Sequence, residues 1–362
     1  MLGDVTVLDT RALNRATLAR QHLLERADLG VLDAVAHLGG LQAQEPQEPF
    51  VGLWSRLREA DPATLDALLT ARRVVRMHLM RRTVHLVTAT DALAWRGRHQ
   101  AMLTQRMLGV YRRELAEVDL GELADAVADL LADGEPRTAG EVGKALAERW
   151  PGPSPRTLGD AALTELPVVQ VPPRGLWGRT GGALFTPLAR WLGAEPHPPS
   201  GTGDLVRRYL AAHGPAATAD IRAWSGLAGL PGEVDAVRDE LVSFRDARGR
   251  ELLDLPDAPR PDPDTPAPVR FLPAFDNAVL GYDDRSRIID DAHRGLSVAG
   301  TRFVLLDGRV AATWTVADGV LSVIPLRRFT RADRTAVGEE ARALAVFLTG
   351  GRGRVRVASS RT

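Results

Sequence analysis

The chain has 362 residues, 44% hydrophobic and 25% charged, with 46 basic side chains balanced by 46 acidic ones. That length serves two or three modules with sizeable cores, and the neutral sum confines any nucleic-acid contact to a local basic patch. The absence of cysteine excludes disulfides, thiolate metal sites and a cysteine nucleophile. No apolar run approaches the about 18 residues that suggest a membrane span, and residues 1–13 show no signal-peptide pattern. A cytoplasmic protein is expected.

Leu13 to Ala27 has helical spacing, and Val31 to Leu38 forms a second helix stopped by Gly39-Gly40. The chain then reads Leu41-Gln42-Ala43-Gln44, followed by Pro46 and Pro49. If this stretch is extended, Gln42 and Gln44 share one side. If it is helical, they sit about 200° apart. Flanking glycines and prolines favour the extended form. Paired amides can orient one water or read one base edge; the plain alternative is a polar loop without chemistry. Helices follow over Val51–Leu57 and Thr64–Thr70, then strands over Val74–Met80 and Thr83–Val87 separated by Arg81-Arg82.

Asp91 to Leu131 reads as mostly helical, with a basic face at Arg96, Arg98, Arg106, Arg112 and Arg113 that also suits plain solvation. Thr138 and Glu141 form a capping box, and a helix runs from Pro155 to Leu163. Strands at Val168–Val171 and Ala183–Thr186 flank a wing, Arg174 to Arg179. The pattern recurs: helix Leu205–His213, Thr218 capping Ala219–Trp224, a Ser225-Gly226 turn, a candidate recognition helix Gly232–Val242, and a hairpin Phe244–Leu255 tipped by Arg248-Gly249-Arg250. Helix–turn–helix plus a basic hairpin is a winged-helix signature. Asp257 to Pro268 reads as a linker. Strands at Val269–Leu272, Arg302–Leu306, Arg309–Val316, Val320–Ile324 and Arg354–Ala358 then accompany one helix capped by Thr330. The expected fold is α+β: tandem winged-helix modules over 1–90, 91–200 and 201–256, and a β-rich, barrel-like domain over 269–362. The alternative is a generic helical protein with hairpins.

Chemistry is constrained further by what is missing. Lys144 is the only lysine, so a Schiff-base mechanism would need it or the terminal amine. Histidines lack metal-ligand spacing, and no phosphate-binding Gly-rich loop ending in Lys-Ser/Thr is present. Neither metal nor cofactor is expected.

The run His37 to Pro46, with Val51 to Leu57, Met80 to Val87, Phe271 to Asn277 and Asp284 to Arg287, resembles the AlkZ family of DNA glycosylases over almost the whole chain. Its most specific motif is glutamine–apolar–glutamine; a related branch carries aspartate in place of the second glutamine. The resemblance implies tandem winged helices around a concave, DNA-sized surface. It also implies excision of N7-alkylated purines, unhooking of crosslinks from azinomycin-like agents, catalysis by Gln42 and Gln44, and a β-hairpin that probes the duplex. Arg309 to Ile324 is the candidate hairpin.

Amides are not general bases, but an N7-alkylated purine leaves as a pre-charged base. Positioning of water and stabilisation of the sugar cation then remain, and positioning alone can supply roughly 7–11 kcal/mol. Arg82, His85, Asp276, Asn277, Arg285 and Arg287 are secondary candidates for DNA or lesion contact. For His85, Asp276 and Asn277 a structural role serves equally well. The expected partner is double-stranded DNA bearing alkylated purines, bound by a monomer without membrane association. The alternatives are a non-catalytic DNA-binding regulator or a drug-sequestering resistance protein.

Overall fold

The computed structural model describes residues 6–198, 201, 203–351 and 353–358. The first helix, Thr10–Arg20, is capped by Asp9, whose carboxylate accepts from the Ala12 amide at 2.7 Å. It stops short of the expected Ala27 because His22 takes φ +54°, turning the chain so that Leu23 still enters the core. Helix Val31–His37 ends as expected at Gly39 and Gly40, with φ +65° and +90°. A Cβ on Gly40 would lie 2.6 Å from Val87 Cγ1 and 3.0 Å from the Leu86 carbonyl. Conformation and close approach both demand glycine there.

Beyond the glycines, Leu41–Gln42 is the edge strand of a five-stranded antiparallel sheet. Its neighbours in order are Val84–Thr88, Val74–His78, Val168–Val171 and Leu184–Pro187. Arg76 pairs with Gln170 across the middle, so the two expected wings are one continuous sheet. The strand expected to reach Met80 ends at His78, and a 3-10 turn over Met80–Arg82 follows. Arg81 and Arg82 sit there at φ +58° and +61°. Each costs on the order of 1 kcal/mol for a residue with a Cβ.

The segment expected to be mostly helical divides into Ala89–Tyr111 and Leu120–Leu130. The Thr138–Glu141 capping box closes reciprocally, with the Thr138 amide bonded to Glu141 at 2.8 Å. The Arg174–Arg179 wing folds back onto the body. Trp177 packs on Phe50 and Phe347, with ring centroids at 4.8 and 5.2 Å.

Two expectations in the third repeat need correction. Thr218 is the first residue of its helix, not the cap; the Ala217 amide donates to Asp220 at 3.0 Å instead. The long recognition helix is a short helix, Leu230–Asp235, then a 3-10 turn, Arg238–Glu240. Val242 is recruited into the hairpin opposite Asp254, so the chain must leave the helix before it. The hairpin itself, Val242–Asp246 with Glu251–Asp254, forms as expected and gains Val7–Leu8 as a parallel third strand.

The expected linker is a strap. Arg11, Arg15 and Arg20 of the first helix donate to the carbonyls of Pro263, Thr265 and Pro259. After it comes an open five-stranded sheet, ordered Arg354–Val357, Val320–Pro325, Arg309–Ala317, Arg302–Leu306, Arg270–Leu272. It is not a barrel. The last strand returns from helix Arg331–Thr349 to lie parallel to Val320–Pro325. That puts it at the edge opposite Arg270–Leu272, too far around to close. Among the described residues no helix is long and apolar enough to cross a membrane.

Candidate active site

Leu41 and Ala43 turn into a hydrophobic cluster with Val35, Phe50 and Leu86. Strand alternation therefore sends Gln42 and Gln44 to the other side. The Ala43 amide donates to the Val84 carbonyl at 2.7 Å, and the buried Arg76 donates to the Ala43 carbonyl at 3.0 Å. The backbone between the glutamines is thus held from both sides. A Cβ at Gly175, which has φ +95°, would fall 2.5 Å from Arg76 Cδ, so the wing presses this arginine onto the strand.

Each glutamine is fixed by a donor. Gln42 is 8% exposed, and its Oε1 accepts from Arg81 at 2.8 Å. Gln44 is exposed and its Oε1 accepts from the Val84 amide at 3.3 Å. A guanidinium only donates. The Gln42 oxygen must therefore face Arg81 and its NH2 must turn away.

Asp276 and Asn277 come to the same crevice, which Gly40, Gln42, Pro273 and Phe275 also line. The Asn277 Oδ1 accepts from Arg81 at 3.1 Å, so one guanidinium bridges the amides of Gln42 and Asn277. Asp276 is occupied. Its carboxylate receives Arg56 at 2.7 and 2.9 Å and the Ala278 amide at 2.8 Å. Both side chains of that ion pair are 1% exposed. Arg285 stands near enough to bear on Arg81, whose pKa is pushed down to about 10 by burial first and then by Arg285 and Arg106. Arg285 is half-buried and donates to Ser297 Oγ at 2.8 Å.

The other candidates lie apart from this crevice or behind it. His85 is opposite Gln42 in the ladder but fully buried, its Nδ1 against the Thr83 carbonyl at 3.0 Å. Burial, then the Arg81 charge, holds its pKa well below the usual value, so the ring is neutral. Arg82 turns the opposite way from Arg81, to Asp160 at 2.7 Å and Thr164. Arg287 is 2% exposed, stacked over Tyr282 at 4.2 Å and donating to the Pro215 carbonyl.

Sequence reasoning overlooked Arg81, Arg76 and Arg56. Arg81 adjoins Arg82, which was among the candidates; the 3-10 turn over Met80–Arg82 sends the two side chains to different partners, and residue type alone does not show which of them reaches the glutamine. Arg56 sits 220 residues from its partner Asp276, a separation that no local pattern reveals.

The arrangement can bond and orient but has little that titrates near neutrality. Both carboxylates lining the crevice are committed, Asp276 to Arg56 and Glu48 to Arg302 and the Ala274 amide, and the glutamines offer hydrogen bonds only.

A family model described as DNA glycosylase AlkZ-like matches residues 35–347. The chain is 26% identical over 353 residues to the interstrand DNA cross-link repair glycosylase of Streptomyces sahachiroi, spanning 90% of this chain and 92% of that protein. The solved structure of Streptomyces sahachiroi DNA glycosylase AlkZ aligns with a TM-score of 0.77 at 23% identity, covering 98% of this chain and 100% of that one. At that identity the structural likeness speaks for the α+β fold. The family match begins within helix Val31–His37, before the glutamines, and ends within helix Arg331–Thr349, and it decides the assignment: the chain belongs to the AlkZ-like DNA glycosylase family and is a DNA glycosylase.

Proposed function

We propose that this enzyme is a monofunctional glycosylase that hydrolyses the N-glycosidic bond of N7-alkylated purines, with Gln42 and Gln44 as the catalytic pair. The observation that carries the reading is a pair of neutral amides, Gln42 on the edge strand and Gln44 two residues beyond it, beside carboxylates already committed, Asp276 to Arg56 and Glu48 to Arg302. Such a site has no strong base to offer. It suits a substrate whose leaving base is already cationic, so that the enzyme need only position water and stabilise an oxocarbenium-like sugar. Crosslinked purines belong to the proposed substrate range, in line with the name of the Streptomyces sahachiroi relative. A base tied to the opposite strand cannot be flipped into a closed pocket; an open cleft is the geometry that accommodates it.

The helix-and-hairpin units of residues 1–90, 91–200 and 201–256 act in this reading as winged-helix modules on double-stranded DNA, beside the β-rich 269–362. The enzyme works as a monomer. Asn277 and Arg285 serve the lesion or the sugar-phosphate backbone near it, while Arg82, His85, Asp276 and Arg287 support the scaffold through their buried partners. The hairpin Arg309–Ala317 with Val320–Pro325, whose turn residues Ala317 and Asp318 are exposed, is the candidate duplex probe.

The test is release of free base from duplex containing N7-methylguanine. Wild-type enzyme releases it, and Gln42→Ala and Gln44→Ala lose most of the rate. Uracil duplex is left intact, and borohydride traps no protein–DNA adduct. Efficient uracil release or a trapped adduct would refute the amide-only mechanism.

A further inference from the structure

Arg81 occupies a place that the catalytic reading does not explain. It lies in the left-handed region, φ +58°, although it carries a long side chain. Its guanidinium makes three bonds: to the Trp224 carbonyl at 2.6 Å, to Gln42 Oε1 at 2.8 Å and to Asn277 Oδ1 at 3.1 Å. None of these three partners is a carboxylate. The contacts come from three distant parts of the chain. Gly226 abuts the Arg81 backbone, since a Cβ there would stand 3.2 Å from the Arg81 nitrogen. The strained backbone, the neutral partners and the half-buried position together describe a charge placed for orientation rather than for an ion pair.

We propose that Arg81 is the positioning residue of this site, the group that sets the orientation of the Gln42 carboxamide and couples it to Asn277. By binding both amide oxygens, it stops the two side chains from flipping, so Gln42 always presents its NH2 and the remaining lone pair of its oxygen. A freely rotating Gln42 would spend part of its time with donor and acceptor exchanged. One guanidinium nitrogen bonds both amide oxygens while the other holds the Trp224 carbonyl; lysine, with a single nitrogen, could not keep all three in this geometry. Arg82 serves as an internal comparison: it has the same backbone conformation, but its side chain is tied to Asp160.

The inference rests on Gln42 being catalytic, so the experiment must separate the two. Single-turnover release of N7-methylguanine is measured for wild type, Arg81→Met, Arg81→Lys, Gln42→Ala and Arg81→Met/Gln42→Ala. Affinity for undamaged duplex is measured over a range of salt. Arg81→Met is expected to lower the rate constant about 100-fold while duplex affinity and its salt slope stay unchanged. Arg81→Lys recovers part of the rate. In the Gln42→Ala background the Arg81→Met change adds no more than about twofold. Should Arg81→Met fold poorly, Arg81→Lys carries the same cycle.

Full additivity in the double variant overturns the proposal, because Arg81 would then act independently of Gln42. A weaker duplex affinity with the salt slope reduced by about one also overturns it, because Arg81 would then hold a phosphate. Gln42→Ala at wild-type rate is a distinct result: it removes the catalytic reading itself, and this inference with it.

Discussion

Replacing Asp276 by asparagine tests whether the crevice is held together by a buried charge pair. Asparagine is nearly isosteric and caps helices about as well as aspartate, so the Ala278 bond is kept and the charge alone is removed. Arg56 would then stay 1% exposed without a counter-charge: the asparagine oxygen could still accept from Nη2, beside the Gln21 oxygen at 3.0 Å, but the amide NH2 would face Nη1, which would keep only the Gly52 carbonyl at 3.0 Å. Breaking one side of a buried pair costs about 3–5 kcal/mol. The retained shape places this change near the lower end, about 3 kcal/mol. At roughly 2 °C per kcal/mol for a chain of this size, Tm should fall by roughly 6 °C. The charge-neutral double variant Arg56→Met/Asp276→Asn should be more stable than the sum of the two single changes predicts, by on the order of 1–3 kcal/mol. Thermal and urea unfolding followed by tryptophan fluorescence would read both. A Tm loss under about 1 °C, or strict additivity in the double variant, would refute this account of the pair.

Gly40→Ala should cost at least about 2 kcal/mol, because its Cβ meets Val87 and φ +90° disfavours alanine; unfolding midpoints check it, and a neutral change would be unexpected. Acid should destabilise the fold through its buried histidines. His99 is lowered to about 4 by burial first, against the Trp95 carbonyl bond that raises it. The unfolded chain therefore binds more protons, so this contribution is present above the ordinary histidine pKa of about 6.5 and is lost as pH falls toward about 4. His99→Gln should flatten the stability profile in that window by up to about 1.4 kcal/mol per pH unit, measured by urea midpoints at several pH values. Arg82→Met should lower Tm and leave the single-turnover rate near wild type, the reverse of the pattern expected at Arg81.

Much of the local structure is legible in the sequence. The glycine stop, the extended start of the glutamine stretch at Leu41–Gln42 and the Thr138–Glu141 box each depend on short-range chemistry, and each is present. The errors were of a different kind. Gly232 to Val242 has a helical start, but Val242 is worth more as a ladder partner of Asp254. The barrel expectation counted strands without knowing on which edge the last one would return. Gln42 and Asn277, candidates from two separate sequence runs, share one crevice although 235 residues separate them, but the runs do not show that they meet. Nor do they tell Arg81 from Arg82, because the difference lies in a backbone turn rather than in residue type. Arg76 and Arg56 were invisible for a related reason: nothing in a sequence marks an arginine as buried.

The bonds joining Gln42, Arg81 and Asn277, and the Asp276–Arg56 pair beside them, bear on how the enzyme is made. During synthesis the glutamine strand leaves the ribosome early, but its last supports lie well over 200 residues later. A half-translated chain can have the first hairpin and no working centre. In the proposed reading, competence to release a base therefore arrives only once residues 276 and 277 have been made and folded back, and a product terminated before them would be inert rather than a loose source of abasic sites.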